Sequence, residues 1–384
     1  MGSAAEMILG INASRARSGG ARAHLINLLE AATPEAFGFT RIHVWAPADL
    51  CALLPRRDWL FIHSPPTLQR ALPAQLWWEL RTLPRLLAEV KADILFNVDA
   101  GSVAEYHPAV TMSQDMLSYE PGEVDRYPIW RPLKLRILAL RYVQNRSLRM
   151  AQGAIFLTHY AGDVIQAYCG KLSNVTYIAH GLSDAFRYDA PKDALLHRPI
   201  RCVYVSPVWA FKHQWHVVEA IAQLRAAGRD VTLTLVGGGD EADIARLERQ
   251  IAQSDPDGRF VERIGHVDPA QLPGLIRDSD LYLFASSCEN LPITLLEGMG
   301  CGIPIACSDR GPMPEVLQDG GVYFDPTDPA SIAAAVARLI EDPAIRSQSV
   351  ARAMALAAGY SWDRCAHETL DFLAKVARNH GSNG

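Results

Sequence analysis

The sequence predicts an α/β protein made of two doubly wound domains, each on a parallel sheet. Three observations carry that prediction. Short aliphatic runs alternate with amphipathic, helix-length stretches along the whole chain. The runs are apolar throughout rather than at every second residue, which is the pattern of strands covered on both faces. A length of 384 residues exceeds one ordinary core, so two domains of about 170–200 residues are the natural division.

In the first half, strands are expected at "MILGIN" (7–12), "RIHVWAP" (41–47), "WLFIHS" (59–64), "DILFNV" (93–98), "AVTMSQ" (109–114), "GAIFLT" (153–158) and "VTYIAH" (175–180). The second half repeats the grammar at "RCVYVSP" (201–207), "VTLTLVGGG" (231–239), "FVERIGHV" (260–267), "DLYLFAS" (280–286), "IPIACS" (303–308) and "GVYFDP" (321–326). Between the two series, "SDAFRYDAPKDALLHRP" (183–199) is polar, carries proline and has no strand pattern; it reads as a linker. The expected division is a Rossmann-like domain over 1–182, the linker 183–199, a second Rossmann-like domain over 200–360, and a helix and tail over 361–384 as a candidate to cross back to the first domain. Ligands of such sheets bind beyond the carboxyl ends of the strands, so chemistry is sought just after each strand, in a cleft between the domains.

The totals exclude several classes. Hydrophobic residues make up 49% and charged residues 21% of the chain, with a net charge of −5. No global field therefore recruits nucleic acid. The seven cysteines form no CxxC pair and read as reduced packing residues. No apolar stretch approaches the roughly 18–20 residues of a membrane span. The opening "MGSAAEMILGIN" runs straight into a strand without the pattern of a signal peptide. A cytoplasmic protein is expected, with contact at the inner face of the membrane left open.

One stretch after a strand stands out: "SSCENLPITLLEGMGCGIPIACSD" (286–309). Pro292 suits the first position of a helix, because it has no N–H to lose. Glu289 then lies in the loop before the helix and Glu297 inside it, about 7–8 Å further along the axis. A phosphate on the helix N-terminus, with hydroxyls on each glutamate, describes one ligand with two polyol ends: a nucleotide sugar. The plain alternative is a solvated loop glutamate and a helix-surface glutamate. Three further features follow strands at helix starts. Gly19 and Gly20 in "SRARSGGARAHL" would let backbone amides approach a phosphate. Lys212 in "YVSPVWAFKHQW" is placed as a point charge for a diphosphate. "LVGGGDEADI" adds Gly237 and Gly238. Each alone reads equally as a turn or a solvated side chain.

Taken in order along the chain, these features resemble the family 4 retaining glycosyltransferases of the two-domain GT-B fold, of the bacterial polysaccharide and O-antigen type. The resemblance covers nearly the whole sequence and is sharpest from Arg201 to Asp328. It rests on the E-x7-E spacing of Glu289 and Glu297, on "LLEGMGCGIPIACSDRGPMPEVL" and "GGVYFDPTDPASIAAAV", on Lys212 in "AFKHQW", on the Gly19–Gly20 pair, and on "TYIAHGLSDAF" and "YSWDRCA". It implies that Lys212 neutralises the diphosphate, Glu297 binds the ribose hydroxyls and Glu289 holds the donor sugar. The turn at Gly237 and Gly238 and the backbone near Gly265 and His266 would line the base. Asn290, Leu291, Pro292 and Ile293 would complete the donor-binding set.

Two departures from the family's pattern matter. Pro207 stands where an arginine is usual, leaving the phosphates to Lys212, helix N-termini and Arg310 or Arg15. Gln114 and Asp115 in "TMSQDMLSYEP" stand where the family often has a histidine followed by a charged residue. Gln114 can hydrogen-bond a hydroxyl but cannot act as a base, so Asp115 is the acid–base candidate. The implied reaction moves a hexose from a GDP- or UDP-linked donor, the base undecided, without a metal or other cofactor. Lys212 and fixed donors stabilise the leaving diphosphate, and the acceptor hydroxyl attacks from the same face. A covalent route through Glu289 is the lesser version.

The acceptor is expected on the first domain, as an oligosaccharide or lipid-linked saccharide. "RYPIWRPLKLRILALRYVQNRSLRM" (126–150) holds seven basic residues and no acidic one, and "PAQLWWELRTLPRLL" (73–87) sets Trp77 and Trp78 beside Arg81 and Arg85. Basic helices with aromatics can lie on an anionic bilayer; the alternative is an internal helix with paired arginines. Other readings of the whole chain are a sugar-nucleotide epimerase or hydrolase on the same fold, and a catalytically silent glycan-binding or scaffold protein.

Overall fold

The computed structural model describes residues 6–17, 19–126, 132–192, 196 and 198–381. Residues 127–131 of the basic stretch, and 193–195 and 197 of the expected linker, lie outside them, as do Ser18 and both chain ends. The chain divides into two compact units: residues 1–181 with 361–384, and residues 182–360.

The first unit carries seven parallel strands: β1 (Met7–Asn12), β2 (Phe39–Trp45), β3 (Leu60–His63), β4 (Ile94–Asn97), β5 (Ala109–Met112), β6 (Gly153–Phe156) and β7 (Val175–Tyr177). Their order across the sheet is β3-β2-β1-β4-β5-β6-β7. Strands β1, β4, β5 and β6 are buried at every residue, as their unbroken apolar runs require. The helices are α1 (Gly19–Ala31), α2 (Ala48–Cys51), α3 (Leu72–Arg81), α4 (Leu83–Glu89), α5 (Pro132–Met150) and α6 (His159–Cys169). Trp45, Trp78, Leu83, Leu87 and Leu95 form one core cluster.

The second unit repeats the plan with β8 (Ile200–Val205), β9 (Val231–Val236), β10 (Val261–Gly265), β11 (Leu281–Phe284), β12 (Ile305–Ser308) and β13 (Val322–Phe324). All are parallel, in the order β10-β9-β8-β11-β12-β13. Its helices are α7 (Gln214–Ala226), α8 (Glu241–Ser254), α9 (Leu272–Asp278), α10 (Ile293–Gly300), α11 (Met313–Leu317), α12 (Pro329–Glu341) and α13 (Pro343–Ala357). Asp328 and Asp342 cap α12 and α13 by accepting backbone N–H groups of their first turns.

Each sheet winds outward from its first strand and then restarts on that strand's other side. Right-handed crossovers put the two sets of helices on opposite faces. The loops after β1 and β4, and after β8 and β11, diverge at these switch points and leave room for a ligand. Lys212 follows β8 and Glu289 follows β11, so both stand at the switch point of the second sheet.

Two segments are placed by local packing. Residues from Leu182 onward belong to the second unit, where Arg187 donates to the Tyr360 carbonyl and Tyr188 N–H bonds the Gly300 carbonyl at 3.3 Å. The last helix, α14 (Trp362–Gly381), belongs to the first unit. Arg378 donates to the Phe37 carbonyl at 2.6 Å, and Phe372 covers Gly153 so closely that a Cβ there would sit 2.9 Å from its ring. All seven cysteines are buried and unbridged.

Candidate functional site

In the second unit the glycine turn and the loop after β8 are one structure. Ser206 N–H bonds the Val236 carbonyl at 2.8 Å, and Val208 N–H bonds the Gly238 carbonyl at 2.7 Å. Pairing thus continues past both strand ends. Gly237 has φ of +136°, and a Cβ there would lie 2.2 Å from the Ser206 carbonyl oxygen. Both facts require glycine. Gly237→Ala is expected to lower stability by about 2–3 kcal/mol, the cost of a forbidden backbone conformation, measured by denaturant titration. Gly238 faces open space.

The loop then makes a 3-10 turn, Ala210–Lys212. Lys212 is only 6% exposed. Its ammonium lies 5.3 Å and 5.7 Å from the ring centres of Phe211 and Phe284 and donates to Glu289 Oε1. Tyr204, fully buried under the loop, donates its hydroxyl to the Lys212 carbonyl at 2.8 Å. A buried cation needs a counter-charge, and Glu289, 77 residues away, supplies it. His213 follows with a left-handed backbone, φ 53° and ψ 27°, and starts α7.

Glu289, Asn290, Leu291 and Pro292 lead into α10. Pro292 is the N-cap rather than the first helical residue: its backbone is extended (ψ 95°), and its carbonyl accepts from Leu295 and Leu296 N–H at 3.0 and 3.2 Å. Helix starts leave their first amides without intrahelical acceptors, here those of Ile293 and Thr294. Glu297 lies one turn further on. Burial leaves its carboxyl poorly solvated and pushes it up to about 8. Tyr282 is fixed by its hydroxyl bond to the Thr294 carbonyl at 2.8 Å, and Gly298 lets its ring approach the helix, since a Cβ there would meet it at 2.8 Å.

His266 is exposed, next to Gly265, whose carbonyl accepts from Gly237 N–H at 2.7 Å. Pro207 is exposed, its carbonyl bonded to Gln214 Nε2 at 2.8 Å. The two arginines considered as its substitutes already hold carboxylates: Arg310 pairs with Asp309 at 3.2 Å and Asp325 at 2.7 Å, and Arg15 with Glu79 at 3.6 Å.

In the first unit, Gly19 and Gly20 open α1, exposed and with nothing near the position of a Cβ. At the end of β1, Asn12 Nδ2 donates to Glu79 at 2.6 Å, Asn97 at 3.0 Å and Ser102 at 3.1 Å. Gln114 is held by its bond to the Val98 carbonyl at 2.7 Å. Asp115 accepts from Leu117 N–H at 3.0 Å and Gln144 at 3.2 Å, and burial raises its carboxyl. Asp99, two residues past β4, was not singled out by the sequence reading. It accepts Gly101 N–H at 2.6 Å, and burial lifts its carboxyl to about 6. The only local signal in "VDAG" is a turn, which says nothing of burial. No group of three or more His, Cys, Asp or Glu arranged to hold a metal ion occurs among the described residues.

The two parallel α/β units and the buried lysine–glutamate pair beside a helix N-terminus can be set against known proteins. Residues 199–342 match the family described as Glycosyl transferases group 1. The O-antigen chain mannosyltransferase B of Escherichia coli is 31% identical over 112 residues, 29% of each chain. Alpha-D-kanosaminyltransferase of Streptomyces kanamyceticus is 26% identical over 329 residues, 80% of this chain and 82% of that one. Among solved structures, Anabaena HepE in complex with UDP and glucose aligns at TM-score 0.71 and 19% identity, covering 98% of this chain and all of that one. WaaG, a glycosyltransferase involved in lipopolysaccharide biosynthesis, aligns at TM-score 0.69 and 14% identity, over 96% and 99% of the chains. Residues 199–342 are thus similar to group 1 glycosyltransferases, and the chain as a whole has the fold of these GT-B structures.

Proposed function

We propose that this protein is a retaining, family 4-like hexosyltransferase, moving a hexose from a nucleotide-diphosphate sugar to a saccharide acceptor in surface polysaccharide synthesis. The observation that carries the reading is Lys212 held on Glu289 between the loops after β8 and β11. Lys212 meets the diphosphate together with the amides that open α10. Glu289 exchanges its bond with Lys212 for the donor sugar's hydroxyls. Glu297 takes the ribose, and the turn at Gly237, Gly238 and His266 lines the base. Gly19 and Gly20 bring backbone amides to the phosphates, Asp115 is the acid–base group and Gln114 hydrogen-bonds a sugar hydroxyl. A mannose donor is favoured by the O-antigen mannosyltransferase relative, and a UDP-linked glucose by the ligand named for HepE. The test incubates the protein with both donors and lipid-linked saccharides, and reads the new linkage by NMR. The reading expects retained anomeric configuration; an inverted product, or free sugar alone, contradicts it.

A lipid-linked acceptor would put the protein at the inner face of the membrane. No helix among the described residues is long and apolar enough to cross one. Helix α5 exposes Leu133, Leu135, Leu140 and Tyr142, the last to 71%, and α3 exposes Trp77 to 64% beside Arg81. Several cations of α5 are engaged locally: Lys134 with Asp125, Arg146 with Glu105, and Arg149 with the Cys169 carbonyl. Apolar insertion therefore supplies most of the attachment. Vesicles containing anionic lipid are expected to co-sediment the protein, and the double variant Leu135→Glu/Tyr142→Glu to weaken this about tenfold or more, given the cost of placing charge in the interface. Equal sedimentation of both forms contradicts the membrane assignment.

A further inference from the structure

We propose that His213 is a positioning residue whose imidazole locks the Lys212 loop to the Glu289 loop through Ser287. The proposal rests on the reading of Lys212 and Glu289 as donor-site groups and names what holds them in place.

The backbone supplies the first observation. Lys91, His213 and Gln318 are the non-glycine residues at positive φ among those described. Lys91 and Gln318 are exposed, whereas His213 is fully buried. Glycine is the default in this conformation because an L side chain crowds the following carbonyl. A histidine kept there, and buried, implies that its side chain makes contacts glycine cannot replace.

The side chain supplies the second. His213 Nε2 lies 2.9 Å from Ser287 Oγ. The Ser287 hydroxyl donates to the Phe211 carbonyl at 3.3 Å, and Ser287 N–H bonds the same oxygen at 2.8 Å. Since that hydroxyl proton is directed to Phe211, its oxygen accepts from His213 Nε2–H. The ring is backed by His216, stacked at 5.3 Å between centres and 16° between planes, and His216 Nδ1 is itself 3.0 Å from the Pro326 carbonyl.

Phe211, Lys212 and His213 are consecutive, and Ser287 stands two residues before Glu289. The links Phe211–Ser287 and His213–Ser287 therefore bracket the Lys212–Glu289 contact, one on each side of Lys212 along the chain. With the bracket intact, the ammonium stays over the loop after β11 even when a ligand draws Glu289 away from it. Without it, Lys212 keeps its charge but not its place.

The test compares nucleoside diphosphate and nucleoside binding by calorimetry, for the base that the wild-type protein prefers. His213→Gly keeps the backbone and removes the ring; Ser287→Ala removes the acceptor. Each is expected to weaken diphosphate binding about tenfold, the scale of misplacing one charge-assisted hydrogen bond, with nucleoside binding nearly unchanged; His213→Gly also lowers the melting temperature, because it empties a buried site, so binding is compared well below it. The double variant should be no worse than Ser287→Ala alone, because that substitution already removes the His213–Ser287 link. His213→Asn, which tolerates the left-handed turn and still offers an N–H donor, should recover part of the loss. Unchanged diphosphate binding, a parallel loss of nucleoside binding, or additive effects would overturn the proposal. If Lys212→Met loses diphosphate binding while His213→Gly does not, the positioning role alone fails. If the wild-type protein binds no nucleotide, the donor-site reading fails and this one with it.

Discussion

Replacing Lys212 by methionine is expected to lower turnover about 100- to 1,000-fold, the range found when one fixed donor to a developing negative charge is removed. In the proposed reaction the leaving group is a diphosphate. The loops after β8 and β11 hold no other lysine or arginine, Pro207 occupies the upstream position, and Arg310, after β12, is committed to Asp309 and Asp325. Stability should fall as well, by about 3 kcal/mol, because Glu289 is left largely buried without its counter-charge. The double variant Lys212→Met/Glu289→Gln should recover much of that stability and none of the turnover. Steady-state rates and denaturant titrations on the same preparations separate the two effects. Turnover within threefold of wild type in the single variant would contradict the assignment.

The second large effect is a pH dependence seated at Glu297. Its carboxyl stands at about 8 in the folded protein against an ordinary 4.5, so the native state holds a proton that the unfolded chain has lost. Stability is therefore greatest below pH 4.5 for this group and falls as pH rises toward 8. Glu297→Gln, which is neutral at every pH, should remove this component and be the more stable form at pH 8. Binding should show the opposite slope. In the proposed site ribose hydroxyls donate to the Glu297 carboxylate; on that assignment binding releases the proton, and affinity for a nucleotide sugar should rise with pH, by up to tenfold per unit below 8. A sugar diphosphate diester keeps its charge over this range, which leaves Glu297 as the titrating group. Calorimetry in buffers of different ionisation enthalpy should detect the released proton in wild type and none in Glu297→Gln. Identical slopes in the two proteins would exclude Glu297 from the ribose site.

How far the sequence could be read depended on range. "DLYLFAS", "VTLTLVGGG" and "MILGIN" are strands because runs of aliphatic and aromatic residues ending in small or polar ones have few other uses, and β11, β9 and β1 lie inside those bounds. The two loops proposed to hold the donor could be picked out in the sequence because parallel sheets direct ligands to strand ends. Contacts across long separations were not. Nothing near Lys212 announces that its partner is Glu289, and nothing in "FKHQW" announces that His213 adopts a left-handed turn, which is set by its burial against Ser287 and His216. The raised carboxyls of Asp99 and Glu297 are likewise products of burial, which is decided by the whole packed unit. The cations of 126–150 looked like one basic face in the sequence, yet several are spent on Asp125, Glu105 and a carbonyl contributed by other segments.

The central claim is that the loops after β8 and β11, with α10, form a nucleotide-sugar donor site. Calorimetric titration of UDP, GDP, ADP and TDP into the wild-type protein and Glu297→Ala tests it most directly. The account predicts that one nucleotide binds well to the wild type and much more weakly to the variant. No binding by any of the four, or equal binding by both proteins, would mean that the chain keeps the fold and not the activity.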